Sequence, residues 1–293
     1  MLIITADDLG FSPSRNQAIL QAASAGTLSA ASLMVNMPEA ENAAKDVHNQ
    51  TPQLDLGLHF TLTSGRAVAD VPLLTDSDGM FRHGFLSLWN NAAKPEFLEQ
   101  IRIEFAAQLR LMDDLEKRYG LRVGHLDSHQ HIHAIKPIWN ILAATAKERE
   151  SILRFPHEPY GSLSRLVPFR TFSPAGDLKK MILDFCLRNI EPVPKRLTAL
   201  YFGLLDSGKM DRSAWNRILN VIRRLPVIRC EVNVHPGLFS GNEATAEPLC
   251  CSKDDRNFHQ SIWRRRELDV LLDPAFADLL QTALADRFNT VNN

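Results

Sequence analysis

The chain lacks a net charge of either sign, because 33 Lys and Arg residues balance 34 Asp and Glu residues to a formal charge of −1. Without an excess of basic residues, the composition gives no sign of the positively charged surface that binds nucleic acid, which argues against such a partner. No apolar run approaches the roughly 18 residues that a membrane-spanning helix needs. Acids appear by residue 7, which leaves no basic-then-apolar secretion signal.

Cysteine is scarce as well, with four residues in 293, and the neighbours Cys250 and Cys251 have neither zinc-finger nor disulfide-framework spacing. We therefore expect reduced thiols and a cytoplasmic location. No Gly/Ser-rich or Pro-rich linker divides the chain, and a chain of this length can bury a large core without stabilising disulfides or metal ions. The sequence predicts a single domain over residues 1–293.

Apolar runs alternate with helical patterns along the chain, and this alternation indicates an α/β fold with a parallel sheet. About seven strands with polar residues at several strand ends favour a distorted, TIM-like (β/α) barrel over an open doubly wound sheet. The predicted strands are Leu2–Ala6, Ala30–Val35, Leu54–Leu58, Val123–Asp127, Ile152–Phe155, Ala199–Phe202 and Arg229–Val234. The predicted helices are Pro13–Ala25, Pro38–Val47, Pro95–Tyr119, Ile135–Arg149, Asp177–Leu187 and Arg212–Arg224.

Two adjacent acids, Asp7 and Asp8, directly follow the first apolar run. Functional sites in α/β proteins lie at the carboxyl ends of such strands. Two neighbouring carboxylates there are costly unless a metal ion or a proton uses their charge. The alternative is that they only cap the helix that begins near Pro13.

Histidines end two further apolar stretches. His59 closes the third predicted strand; a lone histidine there would more often be an ordinary buried polar residue. Four histidines among residues 125–133 are harder to explain in that way. In an extended chain His129, His131 and His133 share a face, and in a helix His129 and His133 do, so either geometry supplies a metal ligand.

These segments resemble the YdjC-like carbohydrate deacetylases, the family of the chito-oligosaccharide deacetylases. The resemblance runs in order from residue 2 to about residue 237, with Leu9 where the family usually has an aromatic residue, and no family motif can be placed after Gly237. The motifs that carry it are Thr5-Ala-Asp-Asp-Leu-Gly10, Gly57-Leu-His59, His125-Leu-Asp-Ser-His-Gln-His-Ile-His133 and Glu231-Val-Asn-Val-His-Pro-Gly237.

The resemblance implies a hydrolase that removes acetyl from an N-acetylglucosamine-containing sugar, with Asp8, His59 and His129 binding one divalent ion and Asp7 in a catalytic role. Three protein ligands leave a position open for water. Asp7 would then take a proton from that water, and the amide nitrogen would need an acid, for which His235 is the candidate by analogy with metal-dependent polysaccharide deacetylases. The resemblance implies Mg²⁺, although imidazole ligands also suit Zn²⁺.

Four further residues have less definite roles. His131 and His133 would orient the ligands or touch the substrate. Arg154 and Glu158 would bind sugar hydroxyls or order their loop. The surroundings of both residues, together with Leu200-Tyr-Phe-Gly-Leu204, resemble a branch associated with hopanoid lipid biosynthesis, which would make the substrate a glycolipid.

Two segments interrupt the alternation, Arg66–Lys94 and Pro156–Pro194. Long irregular loops are often lids or binding loops, and ordinary surface packing is the alternative. The second segment, with its aromatic residues and arginines, leaves peripheral membrane contact open; a homodimer is also open. The late stretch Trp263–Glu267 is interpreted as a solvated face.

Other functions fit part of the pattern. A phosphoesterase would usually need more metal ions and ligands. A non-catalytic sugar-binding protein would not need the acids and histidines, and a glycosidase with paired carboxylates would leave the histidines unexplained.

Overall fold

The structure is a computed structural model that describes residues 1–158, 174–188, 190, 200–224, 229–238 and 253–291. Its seven strands pair in parallel in one sheet, in the order β5-β4-β3-β2-β1-β7-β6. The strands are β1 Leu2–Leu9, β2 Ala30–Leu33, β3 Asp55–Phe60, β4 Val123–Ser128, β5 Ile152–Leu153, β6 Leu200–Phe202 and β7 Cys230–Val234. The order follows that of a barrel opened between β5 and β6, so the predicted parallel, barrel-like α/β fold is confirmed.

Helices surround this curled sheet. They are α1 Pro13–Ser24, α2 Ala40–Gln50, α3 Phe85–Asn91, α4 Pro95–Tyr119, α5 Lys136–Glu148, α6 Pro174–Leu187, α7 Arg212–Arg224, α8 Lys253–His259, α9 Trp263–Leu272 and α10 Pro274–Val291. Helix α4 has the predicted bounds because Pro95 begins it and Gly120, at φ 61°, ends it in a left-handed conformation. No helix in the described part of the chain is long and apolar enough to cross a membrane.

The sheet separates an apolar outer layer from a polar interior. Side chains alternate along a strand, so Leu56, Leu58 and Phe60 of β3 lie on the opposite face from Asp55 and His59. The Phe60 ring packs edge-on against a phenylalanine of α4 at 5.1 Å, which marks that face as the helix-covered one. The polar face of β3 therefore lines the inside of the half-barrel.

Two predictions from the sequence need correction. The segment Arg66–Lys94 is not entirely irregular, since it contains α3. The stretch Trp263–Glu267 begins α9 and is not wholly solvated: Arg265 and Arg266 are exposed, but Arg264 is buried. Arg264 can be buried because it forms an ion pair, at 3.0 Å, with the equally buried carboxylate of Glu267 one helical turn later.

The other predicted insertion, Pro156–Pro194, is described only in part. Helix α6 occupies residues 174–187 of it, three residues longer than the predicted helix. Most of the aromatic residues and the arginines on which the membrane-contact hypothesis depends, including Phe169 and Phe172, lie outside the described residues, as do Cys250 and Cys251.

Candidate active site

The end of β1 carries both adjacent acids into the same region. In a regular strand Asp7 and Asp8 would point to opposite faces. The β1–β2 register shifts between Ala6 and Leu9, and Asp8 has a left-handed φ of 65°. Such a conformation costs energy in a residue other than glycine and is typical of functional sites. The irregularity lets both carboxylates face the mouth of the half-barrel, and both are buried.

Asp8, His59 and His129 come together from the ends of β1, β3 and β4. The Asp8 Oδ1 atom lies 3.4 Å from His59 Nε2 and 3.0 Å from His129 Nδ1. Burial opposes ionisation of Asp8, but the charge and hydrogen bond of His129, together with His59, hold the pKa of this carboxyl well below its usual range. All three side chains are buried, which keeps their polar atoms directed at one another.

This trio fits a divalent metal ion. Ligand atoms about 2.1 Å from one ion lie about 3.0–3.4 Å apart at tetrahedral to octahedral angles, which agrees with the two distances from Asp8. The other Asp8 oxygen, Oδ2, is buried without a hydrogen-bond partner in the described part of the chain. A buried carboxylate oxygen is costly unless something satisfies it, and a cation would do so.

Asp127 orients His59 from behind. The His59 Nδ1–H donates to Asp127 Oδ1 at 2.6 Å, which leaves Nε2 directed at Asp8. A carboxylate behind a histidine in this way fixes the ring and increases its strength as a metal ligand. Although burial opposes it, the charges of Asp127 and Asp7 raise the pKa of His59 to about 10.

Arg154, just after β5, joins three carboxylates. Two guanidinium nitrogens donate to the two oxygens of Asp7, each at 2.9 Å. Another contact reaches Asp127 Oδ2 at 2.7 Å, and Nε donates to Glu231 Oε1 at 2.8 Å. Arg154 is 1 % exposed and is not among the residues that line the cavity. In this arrangement the guanidinium contacts carboxylates, and it holds both oxygens of Asp7.

Glu158 also turns away from the cavity. Its Oε2 accepts hydrogen bonds from the backbone N–H groups of Leu204 and Leu205 in the loop after β6, both at 2.9 Å, and Glu158 is not among the residues that line the cavity. Burial raises the pKa of Glu158 to about 7, although these two hydrogen bonds oppose the shift.

The remaining histidines of the 125–133 segment diverge. His131 and its neighbour Gln130 adopt left-handed φ values of 56° and 54° in the 3-10 turn after β4, so no single face carries all the histidines. His131 lines the cavity, and its Nε2 lies 3.5 Å from the Tyr201 hydroxyl. His133 is fully buried, forms a hydrogen bond with Ser128 and does not line the cavity. Burial lowers the pKa of His133 to about 3.

His235 follows β7 and lines the same cavity. Its Nδ1 has no hydrogen-bond partner among the residues that the structure describes, so this atom is available to a substrate. Burial and the cations Arg264 and Arg15 lower the pKa of His235 well below its usual range, with Asp8 opposing them. The ring is therefore neutral at pH 7 in the metal-free protein.

The segment after residue 237, which the sequence left without a role, holds His235 in place. Glu267 Oε2 accepts from the His235 backbone N–H at 2.6 Å. Arg15 of α1 donates to the backbone oxygens of His235 and Pro236 at 3.2 and 3.0 Å, and to His259 Nδ1 at 2.7 Å. His259 Nδ1 in turn lies 3.9 Å from Asp8 Oδ2.

These residues open onto one cavity of about 410 Å³. Its floor carries Asp7, His59, His129 and His235. Its walls are mainly apolar and come from α3, α6 and α8: Phe85, Leu86, Leu178, Ile182, Leu183 and Phe258. An apolar cavity with a few convergent polar groups is typical of a small-molecule site.

Sequence reasoning missed Asp127, Arg15, His259 and Glu267 as site residues. Asp127 lay within the histidine motif, and its acid type two residues before His129 was an available signal. The other three reach the site from distant parts of the chain, and no local pattern marks them.

The chain is similar to several deacetylases. It is 36% identical over 161 residues to a chitooligosaccharide deacetylase of Klebsiella pneumoniae (strain 342), covering 54% of this chain and 60% of that one. It is 39% identical over 156 residues to a carbohydrate deacetylase of Brevibacillus brevis, covering 53% of this chain and 59% of that one. The chain thus spans about three fifths of the length of the curated relatives it matches.

The fold has a counterpart among solved structures. A cellobiose-phosphate cleavage protein of Enterococcus faecalis V583 superposes with a TM-score of 0.66, covering 96% of this chain and 94% of that one at 20% sequence identity. This likeness concerns the fold alone. The family model described as YdjC-like protein matches residues 1–282, nearly the whole chain, and the chain therefore belongs to the YdjC-like family.

Proposed function

We propose that this protein is a metal-dependent hydrolase that removes the acetyl group from an N-acetylated sugar. The observation that carries the proposal is the meeting of Asp8, His59 and His129 beside Asp7 on the floor of one cavity. The names of the deacetylase relatives support a sugar amide as the substrate class.

Asp8, His59 and His129 would hold one divalent ion, Mg²⁺ or Zn²⁺. When bound, such an ion lowers the pKa of a water molecule and polarises the carbonyl oxygen of the amide. The ligand set of one carboxylate and two imidazoles accepts either metal.

Asp7 would act as the general base. Arg154 holds both of its oxygens, so the carboxylate keeps one orientation at the cavity floor. General base catalysis needs such a group within hydrogen-bond reach of the attacking water.

His235 would serve the leaving amine. Because its ring is neutral, it can act as an acid only after it has taken up a proton within the reaction. The free Nδ1 at the cavity floor is the atom that would carry this proton.

The direct test is acetate release. Metal-loaded protein would be incubated with N-acetylglucosamine oligosaccharides, with an N-acetylglucosaminyl lipid and with a phosphate ester. We expect acetate from at least one acetylated sugar and no phosphate from the ester. Phosphate release with more than one bound metal per chain would favour the phosphoesterase alternative, and binding of the sugar without acetate release would favour a non-catalytic sugar-binding protein.

A second candidate substrate, a glycolipid, is favoured by apolar side chains around the cavity. Leu86 of α3 and Leu178 of α6 are exposed by 54% and 58% and line the cavity. Nearby, Trp89 and Phe185 of the same helices are in ring contact at 5.8 Å. Apolar groups of this kind could hold a lipid tail beside the sugar.

Leu178→Ser with Leu86→Ser distinguishes the two substrates. If the tail binds there, the double variant should lose turnover of the lipid-linked sugar about tenfold or more, since burying each leucine contributes about 1.5–3 kcal/mol. Turnover of a short oligosaccharide should be unchanged. Equal losses on both substrates would argue against a lipid site.

A further inference from the structure

A chain of hydrogen bonds crosses the interior of the half-barrel behind His59. Asp55 Oδ2 lies 3.3 Å from His125 Nδ1, and His125 Nε2 lies 3.1 Å from Ser32 Oγ. Ser32 donates to Asp127 Oδ2 at 2.6 Å, and Asp127 Oδ1 accepts from His59 at 2.6 Å. These hydrogen bonds connect β2, β3 and β4, and among their residues only Asp55, at the outer end, is appreciably exposed.

The donors and acceptors available determine which group donates in each of these hydrogen bonds. A hydroxyl has one hydrogen, and Ser32 gives it to the Asp127 carboxylate, so Ser32 can only accept from His125 Nε2. The other ring nitrogen faces the Asp55 carboxylate, which also only accepts. Both nitrogens of His125 therefore carry hydrogen, and the ring is a cation. Burial opposes this charge, but the hydrogen bond to Asp55 and the charge of Asp127 raise the pKa of His125.

Two glycines within strands make room for the His125–Asp55 pair. A Cβ atom at Gly57 would lie 2.1 Å from the His125 ring, and one at Gly124 would lie 2.5 Å from the Asp55 carboxylate. Neither position has a left-handed φ, so space and not backbone conformation calls for glycine. Strands β3 and β4 each give up a side chain where the His125–Asp55 pair lies, which marks the pair as a built feature of the interior.

We propose that Ser32, held by the His125–Asp55 pair, is a positioning residue for the metal centre and acts through Asp127 on the ring of His59. The inference rests on the metal site of the proposed function. Asp127 Oδ2 is shared between Ser32 and Arg154, and Oδ1 receives His59. Without the Ser32 hydroxyl, the carboxylate is free to turn toward Arg154, and the His59 ring loses its fixed orientation.

The test is metal binding by Ser32→Ala in the full chain. Metal-free protein would be titrated calorimetrically with Zn²⁺, and the visible spectrum of the Co²⁺-loaded protein would report ligand geometry. Outer partners of a metal ligand typically contribute about 10–100-fold in metal affinity. We expect Ser32→Ala to bind Zn²⁺ about tenfold more weakly with an altered Co²⁺ spectrum, and Ser32→Thr, which keeps the hydroxyl, to recover most of the affinity.

Ser29→Ala is the matched control. Ser29 lies just before β2 and accepts from the backbone of Ile4 at 2.8 Å, outside this chain of hydrogen bonds, so its loss should leave metal affinity unchanged. Wild-type affinity and spectrum in folded Ser32→Ala, or an equal loss in Ser29→Ala, would overturn the inference and leave the proposed function standing. A wild-type protein that binds neither ion would overturn the metal site itself. Should Ser32→Ala not fold, Asp55→Ala repeats the test from the exposed end, with weaker Zn²⁺ binding expected and unchanged binding refuting the role.

Discussion

Replacing Arg154 by lysine tests whether this residue positions Asp7. Lysine keeps the charge, but an ammonium group is a point donor and cannot hold both oxygens of Asp7 while also reaching Asp127 and Glu231. The variant therefore separates the orientation of the base from the charge that neutralises its surroundings.

The expected effects follow from the contacts that are lost. A hydrogen bond to a charged group contributes about 1.5–3 kcal/mol, and lysine loses at least one of them, so we expect the free energy of unfolding to fall by about 2–3 kcal/mol. A general base contributes about 10²–10⁴-fold, so a misoriented Asp7 should lower kcat by about 10²-fold. KM should change little, because Arg154 is buried and does not line the cavity.

The assays are acetate release, metal content and denaturant unfolding, with Arg149→Lys as the control. Arg149 is part-exposed and pairs with Asp113 far from the cavity, and a pair of this kind contributes only about 0–1 kcal/mol. An unchanged kcat in folded Arg154→Lys would refute the positioning role. A raised KM with unchanged kcat would instead restore the direct sugar contact that the sequence suggested.

Further predictions address the rest of the site. His59→Ala should lose the metal ion by elemental analysis with the fold retained, whereas the exposed His48→Ala should keep it; full occupancy in both would exclude His59 as a ligand. Asp7→Asn should keep the metal and lose about 10²–10⁴-fold in acetate release, and near-normal release would remove Asp7 from the mechanism. The pKa of about 10 leaves His59 protonated at pH 7 in the metal-free protein, and a ligand nitrogen must be deprotonated. Metal binding should therefore release about one proton and become stronger as the pH rises. Calorimetry in buffers of different ionisation enthalpy measures the proton release, and no release would contradict the prediction. The pKa of Glu158 is about 7 in the folded protein against 4.5 ordinarily, so between these values the folded protein binds more protons than the unfolded one. The free energy of unfolding should therefore fall by about 3 kcal/mol, relative to Glu158→Gln, as the pH rises through this range. The same pH dependence of the free energy of unfolding in the two proteins would argue against it.

Local patterns in the sequence identified the strands and the residues at their ends. An apolar run followed by acids or a histidine marks a buried strand and its functional end, and Asp7, Asp8, His59 and His129 all stand at such places. The parallel sheet then brings them together, because the carboxyl ends of its strands meet at one edge. The geometry therefore agrees with the predicted grouping of these residues.

Contacts that depend on strand register or on distant segments of the chain could not be predicted from those local patterns. The pairing of His59 with Asp127 depends on the β3–β4 register, which includes an irregularity between Leu56 and Gly57. Arg15 and Glu267 hold His235 through backbone atoms from more than 30 residues away, and backbone contacts leave no mark in residue type. For this reason the stretch Trp263–Glu267 was interpreted from its sequence as a solvated face.

The balance of buried charge is an independent argument for a divalent cation. Five carboxylates lie around the floor of the cavity and the hydrogen bonds behind it, four of them buried, and three side chains among them carry positive charge. The carboxylates are those of Asp7, Asp8, Asp55, Asp127 and Glu231, and the cations are Arg15, Arg154 and His125. Two negative charges are left over, and isolated buried charges are costly unless they are paired or coordinate a metal. In the metal-free protein the imidazolium of His59 meets part of this deficit. A divalent ion would displace that proton and supply both missing charges, so we expect a divalent ion to bind here more tightly than a monovalent one.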